Sequence, residues 1–267
     1  MKASTAAPTR PSRRPVQLWP RLREQFILRE RLTLSLIMLL KMDAFNMIDP
    51  ELTQPIINGV LFRLSHPKKR QIHEYILPHQ YWQYHWSCGY SLATVLIELD
   101  GTGKRYLELG PGLGLCSAIA TQRKFSVTVV DREIQALEYT TYNIKANDLP
   151  EPTRFHTSWK EFATIDAGMY DVIAAGDCCY DPAATHDILQ VVKTKLAPGG
   201  VFYATDQLTE NYLLEALKRS GLMYTQTSVV FPIRPELPAR YDRQNTCLFT
   251  ITIPDTPLPT PCGCGGG

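Results

Sequence analysis

The part of this chain best suited to bind a ligand is residues 105–131, which read RYLELGPGLGLCSAIATQRKFSVTVVD. Gly110 and Gly112 can take backbone angles closed to other residues, which lets a ligand approach the main chain. The helix expected to begin near Gly114 offers free N–H groups and the positive end of its dipole. Asp131 ends the next apolar strand, where a carboxylate can accept both hydroxyls of a ribose. These residues predict the first βαβ unit of a nucleoside-binding domain.

The spacing of the glycines indicates which nucleoside to expect. The dinucleotide fingerprint G-x-G-x-x-G would need a glycine where Leu115 stands. Instead the run reads acid-x-Gly-x-Gly-x-Gly and begins at Glu108. That pattern resembles the first motif of the seven-strand S-adenosylmethionine-dependent methyltransferases. The resemblance implies S-adenosylmethionine as the cofactor, bound through Glu108, the glycine turn and Asp131.

A second candidate site is the stretch AAGDCCYDP, in which Asp177 is followed three residues later by Tyr180. Amine- and amide-directed methyltransferases often place an acid and an aromatic residue in this way after the fourth strand. The carboxylate can hold an amine by charge and hydrogen bonding, and the ring can contact a cation or a methyl group. Asp177 and Tyr180 are therefore the predicted catalytic residues, and Asp177 is also predicted to border the cofactor. We interpret Cys178 and Cys179 as pocket-wall or core residues, since no base is evident nearby.

Three further motifs narrow the resemblance. The D-x-x-Y motif, YNIKAN (142–147) and HWSCGYSLATVL (85–96) together resemble the seven-strand protein-lysine methyltransferases. In that family the upstream tryptophan, here Trp86, belongs to the cofactor and substrate pocket. GDCCYD and LPHQYWQYHW resemble the branch that methylates the electron-transfer flavoprotein β subunit. Two features depart from that branch: ATDQLTE (204–210) replaces an acidic GDPGR-like stretch, and two cysteines replace an apolar pair.

Several residues keep two interpretations. Trp159 follows the third predicted strand and could stack on adenine, but a core position fits it equally well. Asp206 at the tip of the fifth strand is a candidate substrate contact. The histidines at 85, 156 and 186 could act as bases, although ordinary strand-end or surface placement is the simpler expectation for each. The loop Arg240–Arg243 could contact a partner.

The elements that would position these residues alternate between strands and helices. Strands are predicted at 105–110, 125–131, 153–157, 170–176 and 200–206, and helices at 114–123, 133–147, 183–196 and 209–220. Two extended segments, 222–231 and 247–253, follow. The strands are nearly continuous apolar runs, as buried parallel strands are. The prediction is an α/β fold with a doubly wound, mostly parallel seven-stranded sheet, the Rossmann-like methyltransferase fold, behind an N-terminal extension.

Composition divides the chain into three parts. Of its 267 residues, 44% are hydrophobic and 20% are charged, which fits a globular protein. Residues 1–50 hold nine basic and four acidic residues (+5), so a net charge of +2 leaves −3 for the remainder, and no nucleic-acid partner is expected. We predict an extension over 1–50, a methyltransferase domain over 51–255 and a disordered tail over 256–267. The seven cysteines show no metal-binding spacing and fit reduced thiols.

The N-terminus leaves the location in the cell open. The first 23 residues carry six basic residues and no acid, which fits either a mitochondrial transit peptide or a disordered basic tail. The apolar run LTLSLIMLL (32–40) is far shorter than the ~20 residues needed to span a bilayer. We expect a cytoplasmic protein with mitochondrial import as the alternative, and no membrane partner.

Together these patterns predict direct methyl transfer from S-adenosylmethionine to a lysine side chain of a protein substrate. No metal is expected, and we expect the protein to be a monomer. A small-molecule amine methyltransferase would use the same D-x-x-Y arrangement. A non-catalytic cofactor-binding module is the alternative from a different class.

Overall fold

A computed structural model describes residues 51–67, 78–207, 211–230 and 245–253 of the chain. The predictions for the N-terminal extension, the loop Arg240–Arg243 and the C-terminal tail, which includes Cys262 and Cys264, lie outside the described residues. So does part of ATDQLTE, since 208–210 are not among them.

A seven-stranded sheet forms the centre of the fold. Its strands are β5 (Arg105–Leu109), β6 (Ser126–Asp131), β7 (Thr153–His156), β8 (Tyr170–Gly176), β9 (Leu196–Asp206), β10 (Met223–Val230) and β11 (Asn245–Thr252). Across the sheet they lie in the order β10–β11–β9–β8–β5–β6–β7. The pairs β5–β6, β5–β8, β6–β7 and β8–β9 are parallel, and β11 pairs antiparallel with both β9 and β10. This confirms the predicted doubly wound, mostly parallel seven-stranded sheet.

Strand β5 sits where the strand order reverses. It pairs with β6 on one side and with β8 on the other, so that Glu108 lies opposite both Val129 and Ala174. The sheet therefore extends from β5 in both directions. In open α/β sheets, ligands bind at such a position, in the crevice outside the carboxyl ends of the strands. Glu108, Asp131 and Asp177 all lie at or just beyond those carboxyl ends.

Helices cover both faces of the sheet. The helices are α1 (Ser87–Leu96), α2 (Leu115–Gln122), α3 (Ile134–Ala146), α4 (Trp159–Phe162), α5 (Pro182–Lys195) and α6 (Tyr212–Ser220). One core cluster joins α1, α2 and α3 to the side chains of Tyr106 and Val129. The other joins α4, α5 and α6 to Leu107 and Leu109. Successive residues of β5 thus point into opposite cores, as strand geometry requires.

Local sequence explains where α5 begins and ends. Asp181 precedes Pro182, and its carboxylate accepts the N–H of Ala184 at 2.7 Å, as expected for a helix start. The helix ends at Lys195, and β9 begins at Leu196 rather than at the predicted residue 200. The Pro-Gly-Gly segment 198–200 therefore lies within the strand, where the pairing of β8 with β9 shifts register.

The structure adds elements before β5 that the sequence patterns did not specify. Four short strands, β1 (Glu51–Thr53), β2 (Ile56–Ile57), β3 (Val60–Leu61) and β4 (Leu64–His66), pair as β1–β4 and β2–β3. A 3₁₀ helix, Pro78–Gln83, precedes α1. In the described part of the chain, no helix has the length and apolar character needed to cross a membrane.

Candidate active site

One cavity of about 550 Å³ opens at the carboxyl ends of β5, β6 and β8. It falls in the volume range of small-molecule and cofactor sites. All of the predicted site residues line it: Trp86, Glu108, Gly110, Gly112, Gly114, Asp131, Trp159, Asp177 and Tyr180. The cavity therefore brings together residues that lie up to 94 positions apart in the chain (180 − 86). Their individual roles remain predictions.

The glycine turn after β5 needs glycine for two different reasons. Gly110 has φ +69°, and a Cβ there would lie 2.8 Å from the sulfur of Cys178 and 3.3 Å from the ring of Trp159. Gly114 has φ +83°, and a Cβ there would lie 2.9 Å from the Cα of Thr140 on α3. The first glycine leaves room at the cavity wall, whereas the second lets the turn pack directly against a helix.

Side chains from α3 hold the carbonyl groups of this turn. The hydroxyl of Thr140 donates to the carbonyl of Gly112 at 3.1 Å. The amide of Asn143 donates to the carbonyl of Leu113 at 2.8 Å. Both side chains are fully buried. Because a carbonyl and its peptide N–H point in opposite directions, these bonds fix the orientation of the peptide planes that border the cavity.

Glu108 lies at the inner end of the glycine turn, with 4% of its surface exposed. Its carboxylate accepts hydrogen bonds from the hydroxyl of Ser117 and, at 3.4 Å, from that of Tyr106. Burial raises the pKa of Glu108 to about 7, and these hydrogen bonds oppose the rise. A cationic ligand group beside Glu108 would stabilise the ionised form of this buried carboxyl.

Asp131 ends β6 beside the cavity and is also buried. Its Oδ1 accepts the main-chain N–H of Glu133 at 2.9 Å, which orients the carboxylate across the start of α3. Burial raises the pKa of Asp131 to about 6. Since the residue still lines the cavity, its carboxylate can accept hydroxyl groups from a bound ligand.

Asp177 follows β8 directly and takes a left-handed backbone conformation, with φ +57°. Its main-chain N–H donates to the carbonyl of Thr205 at 2.8 Å, and Gln207 Nε2 donates to its Oδ2 at 2.7 Å. Burial and the neighbouring charge of Asp206 raise the pKa of Asp177 to about 6. The side chain is therefore mostly ionised at neutral pH, and its position is fixed by the end of β9.

An aromatic cluster stands beside Asp177 at the cavity wall. The ring of Tyr81 meets those of Trp86 and Tyr180 edge to face, with centroids 5.7 Å apart in both pairs. Trp86 Nε1 also donates to the carbonyl of Tyr81 at 2.8 Å. Burial raises the pKa of Tyr180 to about 12, so its phenol stays neutral. These rings can contact a cation or a methyl group but supply no strong base.

The two cysteines of AAGDCCYDP are buried wall and core residues. Cys178 donates from its sulfur to the carbonyl of Leu109 at 3.2 Å, and Cys179 lies in the core between the sheet and α5. Burial raises the pKa of both thiols above the usual range. A thiol held in its protonated form is a poor nucleophile, as the sequence interpretation had it.

Charge around the cavity favours a cationic ligand. In the described part of the chain, six carboxylate residues line it, against a single arginine, Arg132, and the imidazole of His85. The six are Glu108, Asp131, Glu133, Asp177, Asp181 and Asp187. Among the described residues, no group of three or more His, Cys, Asp or Glu side chains is placed to hold a metal ion.

Other candidates from the sequence fall in different places. Asp206 is buried and does not border the cavity. His156 and His186 are exposed, and His156 contacts the carbonyl of Arg132 at 3.0 Å. His85 lines the cavity and lies 2.9 Å from the hydroxyl of Thr53.

The cavity residues that the sequence prediction did not single out include Tyr81, Trp82 and Gln207. The first two lie in LPHQYWQYHW, whose dense aromatic content was the available signal. The main-chain carbonyl of Trp82 packs against the glycine turn: its oxygen lies 3.3 Å from where a Cβ at position 112 would stand. Gln207 lies in ATDQLTE, where no feature distinguishes it from the polar residues around it.

Part of this chain is similar to a known protein family. Residues 84–212 match the family model described as lysine methyltransferase. A protein N-lysine methyltransferase from Danio rerio is 32% identical over 102 residues, covering 36% of this chain and 46% of the relative. A ubiquinone biosynthesis O-methyltransferase from Psychrobacter arcticus is 30% identical over 120 residues, covering 43% and 46%. The chain thus spans about half the length of the curated relatives it matches.

Solved structures agree on the fold. A 16S rRNA methyltransferase of T. thermophilus, crystallised with AdoMet and guanosine, superposes with a TM-score of 0.50 at 18% identity, covering 75% of this chain and 50% of the other. At this level of sequence identity, the similarity shows only that the two chains share a fold. Over residues 84–212, just under half of its length, this chain thus resembles the lysine methyltransferase family, and its seven-stranded sheet resembles the fold of the solved rRNA methyltransferase.

Proposed function

We propose that this chain is an S-adenosylmethionine-dependent N-methyltransferase that acts on a lysine side chain of a protein substrate. The observation that carries the proposal is the position of Asp177 and Tyr180, which border the same acidic cavity as the glycine turn, Glu108 and Asp131. The match of residues 84–212 to the lysine methyltransferase family supports the choice of substrate.

The cavity residues fit S-adenosylmethionine. Gly110 leaves the wall open beside the ring of Trp159, which would contact adenine. Asp131 would accept the ribose hydroxyls, and Glu108 would take the amino group directly or through water. The excess of carboxylates suits a ligand that carries both a sulfonium and an ammonium group. When bound, the cofactor would supply an electrophilic methyl group.

The protein side chains would mainly bind and orient the amine. A lysine with an unperturbed pKa of about 10.4 is mostly protonated at neutral pH, so it must lose a proton before it reacts. Asp177 would hold the ammonium group, Tyr180 would flank it, and solvent or a nearby acceptor would take the proton. Such positioning and exclusion of water is worth up to ~7–11 kcal/mol in favourable systems.

A small-molecule methyltransferase is the second candidate. The relative from Psychrobacter arcticus is named for ubiquinone biosynthesis, and an acidic cavity of this kind could also take a free amine. A non-catalytic module would bind the cofactor without turnover. The transferred methyl group would be found on a protein for the first candidate, on a small molecule for the second, and on neither for the third.

The test uses the purified full chain with radiolabelled S-adenosylmethionine and a cell lysate, followed by gel separation and small-molecule extraction. We expect a discrete labelled protein band that disappears with Asp177→Ala, while calorimetry shows that this variant keeps its affinity for S-adenosylhomocysteine. Asp166→Ala, an exposed position outside the cavity, is the control and should retain the band. Label only in the extract would indicate a small-molecule enzyme. Wild-type transfer by Asp177→Ala would remove Asp177 from the site.

The finer properties are also proposals. We propose a monomer that binds neither nucleic acid nor membranes and that works in the cytoplasm, with mitochondrial import through residues 1–23 as the alternative. Sedimentation of the full chain would test whether it is a monomer. A fluorescent protein fused to residues 1–50 would test whether these residues direct import into mitochondria. The electron-transfer flavoprotein branch remains a prediction that identification of the labelled band would decide.

A further inference from the structure

Gln207 stands one residue beyond the end of β9, at the position where the sequence departs from the acidic glycine-containing stretch expected there. Its side chain is 8% exposed and lines the cavity. Its Nε2 donates to Oδ2 of Asp177 at 2.7 Å. A hydrogen bond from a neutral donor to a buried carboxylate is among the stronger ones in proteins.

Asp177 is otherwise surrounded by acidic groups. The carboxylate of Asp206, at the end of β9, is the charge that acts on it most strongly. The thiol of Cys88 in the first turn of α1 also hydrogen-bonds to it, and the thiols of Cys178 and Cys179 follow it in the chain. Donors from Gln207 and Cys88 therefore offset the repulsion that Asp206 exerts on an ionised Asp177.

We propose that Gln207 is a positioning residue for methyl transfer, which holds one oxygen of Asp177 so that the carboxylate stays ionised and its other oxygen is presented to the substrate amine. This inference rests on the proposed function of Asp177. The amide suits the position because it donates without adding charge. A carboxylate there would place a third acid beside Asp177 and Asp206, and an apolar side chain would leave Asp177 Oδ2 without this donor.

The first experiment measures methyl transfer to the labelled protein band from pH 5.5 to 9 with Gln207→Met, which removes the donor at similar volume. We expect about a tenfold loss near neutral pH, the worth of one hydrogen bond to a charged group. The acid limb of the pH profile should move up by about one pH unit, because loss of the donor raises the pKa of Asp177. Affinity for S-adenosylhomocysteine should stay unchanged. Gln190→Met on α5, outside the cavity, is the matched control.

A uniform loss at every pH, or a loss of cofactor affinity, would show a merely structural role and overturn the proposal. The second experiment does not need activity. Thermal midpoints of wild type, Gln207→Met, Asp177→Asn and the double variant are measured at pH 5.5 and 7.5. A carboxyl whose pKa is raised by folding destabilises the protein as pH rises, so Gln207→Met should lose more stability over this range than wild type.

That extra loss should vanish in the Asp177→Asn background, since no ionised carboxylate then needs the donor. An equal loss in both backgrounds would overturn the link between Gln207 and Asp177. If the wild type transfers no methyl group to any substrate, the proposed function fails and the catalytic part of this inference fails with it. The thermal measurements still decide whether Gln207 stabilises the ionised Asp177, so the two failures can be told apart.

Discussion

The side-chain amide of Asn143 forms both of the hydrogen bonds that a neighbouring strand would form with Ser65. Its Oδ1 accepts the N–H of Ser65 at 2.7 Å, and its Nδ2 donates to the carbonyl of Ser65 at 2.9 Å. The same Nδ2 donates to Leu113 in the glycine turn at 2.8 Å. One buried residue of α3 thus joins β4 to the turn that borders the cavity. Asn147, one helical turn later, pairs with both backbone groups of Arg63 in the same way.

Asn143→Ala should therefore cost more stability than the chemically identical change at Asn147. Asn143 is fully buried, so its loss leaves three buried backbone groups unpaired, at a cost of at least about 2 kcal/mol. Asn147 is only partly buried, and water can replace its bonds to Arg63. We expect Asn147→Ala to cost less than about 1 kcal/mol. Urea unfolding of both variants measures the difference, and equal costs would show that burial of the amide is not the cause.

Gly114→Ala and Gly59→Ala separate backbone strain from packing. Both glycines have φ +83°, so alanine at either position must adopt a left-handed backbone conformation, which lowers the stability by roughly 1–2 kcal/mol. A Cβ at position 59 would meet nothing within 4 Å, whereas one at position 114 would lie 2.9 Å from the Cα of Thr140. Gly114→Ala should thus cost about 1–3 kcal/mol more than Gly59→Ala, because overpacking against α3 adds to the strain. A chemical denaturation series checks this, and matched losses would contradict the close approach of turn and helix.

Much of the fold could be predicted because its signals are local. Buried strands such as 170–176 are nearly continuous apolar runs, and Asp181 followed by Pro182 is a direct signal for the start of α5. The cavity residues at strand ends followed from the rule for parallel sheets. What escaped prediction depends on long-range contacts: Asn143 reaches a strand 78 residues away, and Gln207 reaches a carboxylate 30 residues away. An asparagine within a helix, or a glutamine after a strand, carries no local sign of its partner.

Asp131→Asn should weaken cofactor binding while leaving the fold intact. The neutral amide can still accept the N–H of Glu133 through its oxygen, but it loses the charge that strengthens hydrogen bonds to ribose hydroxyls. We expect the Kd for S-adenosylhomocysteine to rise about 10- to 100-fold, the worth of hydrogen bonds to a charged group. Calorimetry at pH 8 measures it. Glu133→Gln, at the same cavity wall, should change the Kd less than about threefold, since side chains near a solvated edge contribute little. Unaltered affinity in Asp131→Asn would remove that residue from the ribose site.

Glu108 should make the protein less stable as pH rises. Its pKa of about 7 in the folded chain exceeds the 4.5 of an ordinary glutamate, so between these values the folded state binds more protons than the unfolded state. The free energy of unfolding must then fall across this range. In Glu108→Gln that fall should be smaller, and at pH 8 the variant should be more stable than wild type by about 1–3 kcal/mol.

Urea unfolding at pH 5 and pH 8 tests this, with Glu138→Gln on α3 as the control, expected to stay within about 0.5 kcal/mol of wild type. In Glu108→Gln the hydroxyl of Ser117 can still donate to the oxygen of the new side-chain amide, so the variant keeps a partner for that buried group. The same variant should bind S-adenosylhomocysteine more weakly, because a neutral amide holds an ammonium group less firmly than a carboxylate does. A pH dependence in Glu108→Gln as steep as that of wild type would mean that another buried carboxyl, such as Asp131 or Asp177, dominates the titration.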